Sequence, residues 1–251
     1  MNQFSRNELL FGADAIGFLS RCHVAVFGLG GVGSHLAEAL ARGGVGNLTL
    51  VDHDCVDITN INRQIIASMS TIGQMKTNLM KDRILDINPC AKVEIYNLFY
   101  AADTTDELGS FQRFDYIADA IDTVSSKLLL IQKAQQESVP VISCMGAGNK
   151  LDPTRFTVSD IGDTSVCPLA RIIRRELRAR GVDHLKVVYS REKVMQPLSE
   201  NLAANSEERA GRRHTPGSVS FVPPVAGLIM AGEIIKDLIQ SFDSSPVQQM
   251  R

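Results

Sequence analysis

At 251 residues, with 44% hydrophobic and 22% charged residues and a formal net charge of −2, the chain is long enough for one large or two modest globular domains, and its charge does not announce nucleic acid binding. Its longest apolar run, around Val222–Met230, is followed at once by Glu233, Lys236 and Asp237, so no segment is expected to span a bilayer. Five cysteines, at 22, 55, 90, 144 and 167, never form C-x-x-C, which fits a reducing compartment and leaves no zinc ribbon; with a polar Met1–Leu10 that shows no cleavage pattern, the chain reads as cytoplasmic.

The first half alternates short β-branched runs with amphipathic helices: "HVAVFGLG" then "SHLAEALARGG", "NLTLVD", "KTNLMKDRILDIN", "KVEIYNLF", "FDYIADAID", "KLLLIQKAQQES" and "PVISCMGAG". That rhythm predicts βαβ units, and so a Rossmann-like α/β fold with a mostly parallel sheet flanked by helices. "INP" at 87–89 should end a helix, because Pro89 lacks an amide donor and disfavours helical geometry at Asn88. After about Asp152 a strand is expected over Arg155–Ile161, a helix over Leu169–Arg180 and a strand over His184–Ser190. A long polar connector follows over 199–217, of a length usually functional or mobile, and then a helix whose apolar spacing from Val225 suits packing on the sheet. We divide the chain into a nucleotide-binding part, 1–150, and a substrate-binding continuation of the same domain, 151–251.

The turn "VAVFGLGGVGSHLAEAL" (24–40) places Gly28, Gly30 and Gly33 as G-x-G-x-x-G, with Asp52 at the distance where an acid would hold a ribose. A phosphate-bearing ligand is expected there, since free amides and the dipole at the following helix favour negative charge. The glycines alone favour NAD or FAD. Gly31 and Ser34 change the pattern, and "LVDHDCVDITNINRQ" adds Asp54, Asn60, Asn62, Arg63 and Gln64 at the carboxyl edge of the sheet. Arg63 and the later Lys76 have no role in hydride transfer, whereas two cations can neutralise a departing pyrophosphate. Asp122, at the end of "FDYIADAID", is then a candidate oxygen ligand for Mg²⁺. The competing reading of Asp122 is an ordinary helix N-cap.

Together, the G-x-G-G-x-G-S turn, "DxDxVxxxNxNRQ" from Asp52 to Gln64, Lys76 in "GQMKTNLMKDRILDINP" and Asp122 in "DAIDT" resemble the adenylation domain of the ubiquitin-activating and sulfur-carrier-activating superfamily, over roughly residues 6–150. The resemblance implies ATP and Mg²⁺, with the glycine amides and Ser34 near phosphate, Asp52 on the ribose, and Asn60, Arg63, Gln64 and Lys76 around the phosphates. It also implies Mg²⁺ on Asp122 and a homodimer in which Arg6, in "RNELLFG", reaches the partner subunit's site.

The acid to be activated must be read elsewhere. "GAGNKLDPTRFTVSDIGDTSVCPLAR" is similar to the branch of this superfamily that dehydrates threonylcarbamoyladenosine in tRNA, where the attacking nucleophile is already on the substrate and no zinc or protein thioester is required. Cys144, in an apolar strand, reads as core; Cys167 is the better nucleophile candidate if a thiol were needed. Arginine runs then acquire a purpose: Arg171, Arg174, Arg175 and Arg178 on a helix, with Arg212 and Arg213 in the connector, are candidate contacts to tRNA phosphates, against the competing reading of a solvated helix face. A cysteine desulfurase system is carried as a candidate assisting partner. The rival functions are an adenylyltransferase acting on the C-terminal glycine of a ubiquitin-like sulfur carrier, a dinucleotide-dependent oxidoreductase, and a nucleotide-sensing scaffold.

Overall fold

The computed structural model describes residues 1–196 and 216–244; the connector assigned to 199–217, up to residue 215, and its Arg212 and Arg213 lie outside the described residues. Two short helices, α1 (Ser5–Phe11) and α2 (Ala13–Leu19), precede the first strand, and neither was foreseen. The strands are β1 (His23–Phe27), β2 (Asn47–Val51), β3 (Lys92–Tyr96), β4 (Tyr116–Asp119), β5 (Val141–Cys144), β6 (Phe156–Asp160) and β7 (Lys186–Ser190). Between and after them run α3 (Gly33–Gly43), α4 (Lys76–Ile87), α5 (Val124–Gln136), α6 (Pro168–Arg178) and α7 (Pro223–Asp243). The expected α/β architecture is borne out, and α4 ends at Ile87, before Pro89.

Among the described residues, all seven strands form one sheet in the order β3-β2-β1-β4-β5-β7-β6, parallel except where β6 runs antiparallel to β7. Alternation along β1 explains the layering. Val24 and Val26 face a core closed by α2, α3, α4 and α7, while Ala25 and Phe27 face a second cluster with Phe111, Phe114 and Leu130. A third cluster packs α5 against α6 through Leu128, Ile131, Ile173 and Leu177. None of the described helices is long and apolar enough to cross a membrane.

The strand order reverses direction between β1 and β4, because the chain leaves β1 through α3 toward β2 and returns beyond it at β4. At such a switch point the loops after the two strands diverge and open a crevice at their carboxyl ends. Gly33 lets α3 start close enough to wall it. A Cβ at this position would lie 1.7 Å from the Gly28 carbonyl oxygen, so no other residue fits without moving the turn.

Candidate active site

The crevice is a cleft of about 610 Å³. The glycine turn, the loop after β2, the start of α4, the loops after β3, β4 and β5, and residues 216–218 before α7 all line it. Gly28 turns the chain at φ 86°, and its missing Cβ avoids the Ala120 carbonyl oxygen, which would stand 2.8 Å away. At Gly30 nothing lies nearer than 4.0 Å to a would-be Cβ, so this backbone face is open to a ligand.

Asp52 ends β2 and is buried, with Oδ2 accepting from the Leu29 amide at 2.6 Å and Oδ1 from the Asp54 amide at 2.8 Å. It thereby ties the glycine turn to the β2 loop. Each oxygen keeps a second lone pair for a ribose hydroxyl. Lys76, 4% exposed at the first turn of α4, donates from Nζ to Asp54 Oδ2 at 2.6 Å. Asp54 therefore neutralises Lys76 and holds its amine at the cleft. The Arg63 Nη1 donates to the Thr59 carbonyl at 2.8 Å and Asn62 Oδ1 at 2.9 Å, while its aliphatic stem lies across Gly31, where a Cβ would come within 3.0 Å. Asn60 is pinned by its capping box with Asp57.

Asp122 is exposed at the cleft, and its carboxylate caps nothing. Thr123 is the N-cap of α5, and among the described residues Asp122 accepts a hydrogen bond only from the Thr123 hydroxyl, at 3.4 Å. The N-cap reading of Asp122 therefore does not hold. Two sequence assignments take different places. Gly33 and Ser34 do not line the cleft: Ser34 is fully buried behind the turn, donating to the Gly30 carbonyl at 2.7 Å, so it braces the backbone of the glycine turn. Arg6 is exposed on α1, outside its own subunit's cleft.

The arginine helix also divides. Arg174 is half-buried and donates to Thr164 Oγ1 at 2.7 Å and to the Thr164 carbonyl at 2.8 Å, so it is a structural tie between α6 and the preceding loop and is not free for tRNA. Arg175 pairs with Glu176 at 2.8 Å. Arg171 and Arg178 are exposed and without a partner among the described residues. Cys167 is buried as the N-cap residue of α6 and does not itself line the cleft, so it presents no thiol to a substrate there. Cys144 does line the cleft, but burial pushes its thiol up to about 12, so it stays protonated and poorly nucleophilic.

Sequence reasoning missed the support beneath the site. Asp119, at the end of β4, and Lys127, on α5, form a fully buried ion pair at 2.9 Å, completed by the Ser143 hydroxyl on Asp119 at 2.6 Å. Asp119 Oδ1 also accepts from the Ile121 amide, and Lys127 donates to the Ile121 carbonyl. Both partners thus grip the loop that presents Asp122. The signal was available: an acid inside the apolar "YIAD" and a lysine on the buried face of "SSKLLLIQ".

The donors present suit a magnesium nucleotide. Gln64 is buried with an unpartnered Oε1 in the cleft, the open face at Gly30 admits a phosphate, two cations stand nearby, and the free oxygens at Asp122 are the hard ligands Mg²⁺ takes. A buried polar atom without a partner costs about 1–3 kcal/mol, which a ligand group can recover.

Comparison with known proteins agrees with this geometry. A ThiF family model matches residues 4–250, and the chain belongs to that family. It is 42% identical to the tRNA threonylcarbamoyladenosine dehydratase of Bacillus subtilis, over 99% of both chains. To the enzyme of that name from Escherichia coli it is 32% identical, over 94% of this chain and 93% of the other. The crystal structure of the Escherichia coli enzyme in complex with AMP superposes with a TM-score of 0.86 at 31% identity, covering 97% of this chain and 96% of that one. Its complex with ATP gives 0.85 at 30% identity, with the same coverage.

Proposed function

We propose that this chain is an ATP-dependent dehydratase of threonylcarbamoyladenosine in tRNA. The carboxylate of the threonylcarbamoyl side chain attacks the α-phosphate of ATP and pyrophosphate leaves; intramolecular attack on the acyl-adenylate then closes the ring and expels AMP. One joint observation carries this reading: a cleft with the glycine turn, Arg63, Lys76 and Asp122, in a chain similar over its whole length to enzymes of that name. Asp52 is proposed for the ribose, Arg63 and Lys76 for the charge that develops on pyrophosphate, and Asp122 as a ligand of Mg²⁺, which when bound shields the phosphate oxygens.

Residues 1–150 serve ATP in this reading and 151–251 the tRNA, with Arg171 and Arg178 as phosphate contacts. We place the enzyme in the cytoplasm as a homodimer, with a cysteine desulfurase system as an assisting partner on family resemblance alone. The exposed position of Arg6, outside its own cleft, is what a residue acting in trans requires. Mixing inactive Arg6→Ala subunits with inactive Lys76→Ala subunits should restore activity; subunit exchange without any recovery removes Arg6 from the site.

The deciding experiment is mass spectrometry of nucleosides after incubation of enzyme, Mg·ATP and modified tRNA. Loss of one water from the modified nucleoside, with release of AMP and pyrophosphate, is expected. Untouched tRNA alongside ATP-dependent adenylation of a ubiquitin-like protein would instead establish the sulfur-carrier function.

A further inference from the structure

The cleft has two chemically distinct walls. One, on the glycine turn, the loop after β2 and the start of α4, carries Asp52, Asp54, Asp57, Arg63 and Lys76; the other, formed by the start of α5, the loop after β5 and residues 216–218, carries no charged side chain among the described residues beyond Asp122, which directly precedes the N-cap of α5. Just three buried side-chain polar atoms lack a hydrogen-bond partner among the described residues, and all three belong to residues that line this cleft: Gln64 Oε1, Ser126 Oγ and Ser218 Oγ. Gln64 belongs to the charged wall. Ser126 and Ser218 belong to the other and have no part in the nucleotide assignments above.

Ser126 is 2% exposed and lies in the first turn of α5, a helix of 13 residues whose N-terminus has no side-chain cap. The amides of that turn have no partner within the helix and favour a negatively charged group. Ser218 is held from both sides of its peptide. The Asn62 amide donates to the Ser218 carbonyl at 2.9 Å, and Asn149 exchanges two hydrogen bonds with Gly217, at 2.6 and 2.8 Å. Asn149 makes that clasp from φ 55°, a left-handed conformation that asparagine tolerates better than most residues.

We propose that Ser126, Ser218 and the N-terminal turn of α5 form the subsite for the acyl end of the substrate: a small carboxylate-bearing group, uncharged elsewhere, held beside Asp122. It rests on the dehydratase reading and assigns the threonyl end of the modified nucleoside to this wall. A triphosphate needs the cations opposite. A carboxylate about to be esterified by phosphate is better met by neutral donors, because hydroxyls and amides orient it without a lysine or arginine neutralising it as a nucleophile. Asn62 and Asn149 act as positioning residues for Ser218.

The test compares tRNA with and without the threonylcarbamoyl group, which differ by the portion that this wall would hold. For the wild-type enzyme, the dissociation constant should be lower for modified tRNA. Ser126→Ala and Ser218→Ala should each weaken modified tRNA by about tenfold, with a matching rise in KM, and leave unmodified tRNA and Mg·ATP within about twofold. Equal weakening of both tRNAs would make the serines RNA contacts, weakened ATP binding would make them nucleotide contacts, and no change would leave them without a ligand; each overturns the subsite. A wild-type enzyme that binds both tRNAs equally overturns the substrate reading itself. Thermal melts of both variants, expected within a degree or two of wild type, separate these outcomes from misfolding.

Discussion

Around the glycine turn, Lys76 on α4 is fixed by Asp54 after β2 and Asp52 by amides of both the turn and its own loop, while Arg63 bonds within its own loop. On α6 the arginines bond locally, Arg175 and Arg180 to Glu176 within the helix region and Arg174 to the loop just before it. The proposed roles give Lys76 and the α6 arginines different requirements. Charge that meets a reacting phosphate is effective only when held in place before the reaction, which takes contacts between elements. Charge that meets a nucleic acid backbone acts over longer range and tolerates adaptable side chains.

The contrast breaks hardest at the buried pair under the cleft. Lys127→Met leaves Asp119 buried and unpaired, and denaturant unfolding should show a loss of about 3–5 kcal/mol. Stability near wild type would mean that the pair does not grip the loop as its geometry implies. Next come the groups proposed for the phosphates. Lys76→Ala, Arg63→Ala and Asp122→Asn should each lower turnover about a hundredfold, on the order of 3 kcal/mol of transition-state stabilisation, with fold retained by circular dichroism.

The α6 arginines sharpen the comparison from the other side. Arg174→Ala should lower stability by about 1–3 kcal/mol, since the Thr164 groups lose their donor, without changing the salt dependence of tRNA binding. Arg171→Ala and Arg178→Ala should do the reverse, each lowering the steepness of log K against log salt by about one unit. A filter-binding series in salt separates the two behaviours.

The smallest effect is a pH dependence. Burial holds the His35 imidazole below its ordinary value of 6.5, with the Arg63 carbonyl acting in the opposite sense, and burial lowers His23 likewise. The folded state then binds these protons less readily than the unfolded chain, so stability is full above pH 6.5 and falls as pH drops below it. His35→Gln should flatten part of that slope in melting temperatures taken across the range.

Much of this was legible because the chemistry sits in short motifs. The turn, Asp52, Arg63, Lys76 and Asp122 lie where strands end, and strand ends can be read from β-branched runs. Local pattern did not resolve Ser34, whose hydroxyl turns inward to Gly30, or Arg174, whose partner is a carbonyl ten residues away. Ser126 and Ser218 were invisible for a different reason: they share a cleft only because β5, α5 and α7 converge, and a lone serine carries no periodic signal. Asp119 breaks the apolar run of β4 and Lys127 the buried face of α5, so that pair was the missed feature that could have been found.

The hydrogen bond from Asn62 to Ser218 spans 156 positions, and Pro223 lies against Gly31 so closely that a Cβ there would come within 3.0 Å. A ribosome makes the glycine turn and Asn62 well before residues 216–218 and Pro223, which close against them. At about 5–20 residues per second, a nascent chain waits on the order of ten seconds between making Asn62 and making its partner. During that interval the glycine turn has no α7 behind it, so a chain that stops between Asn62 and Ser218 carries the turn, Asp52 and Arg63 without residues 216–218 and Pro223, which complete the lining of the cleft.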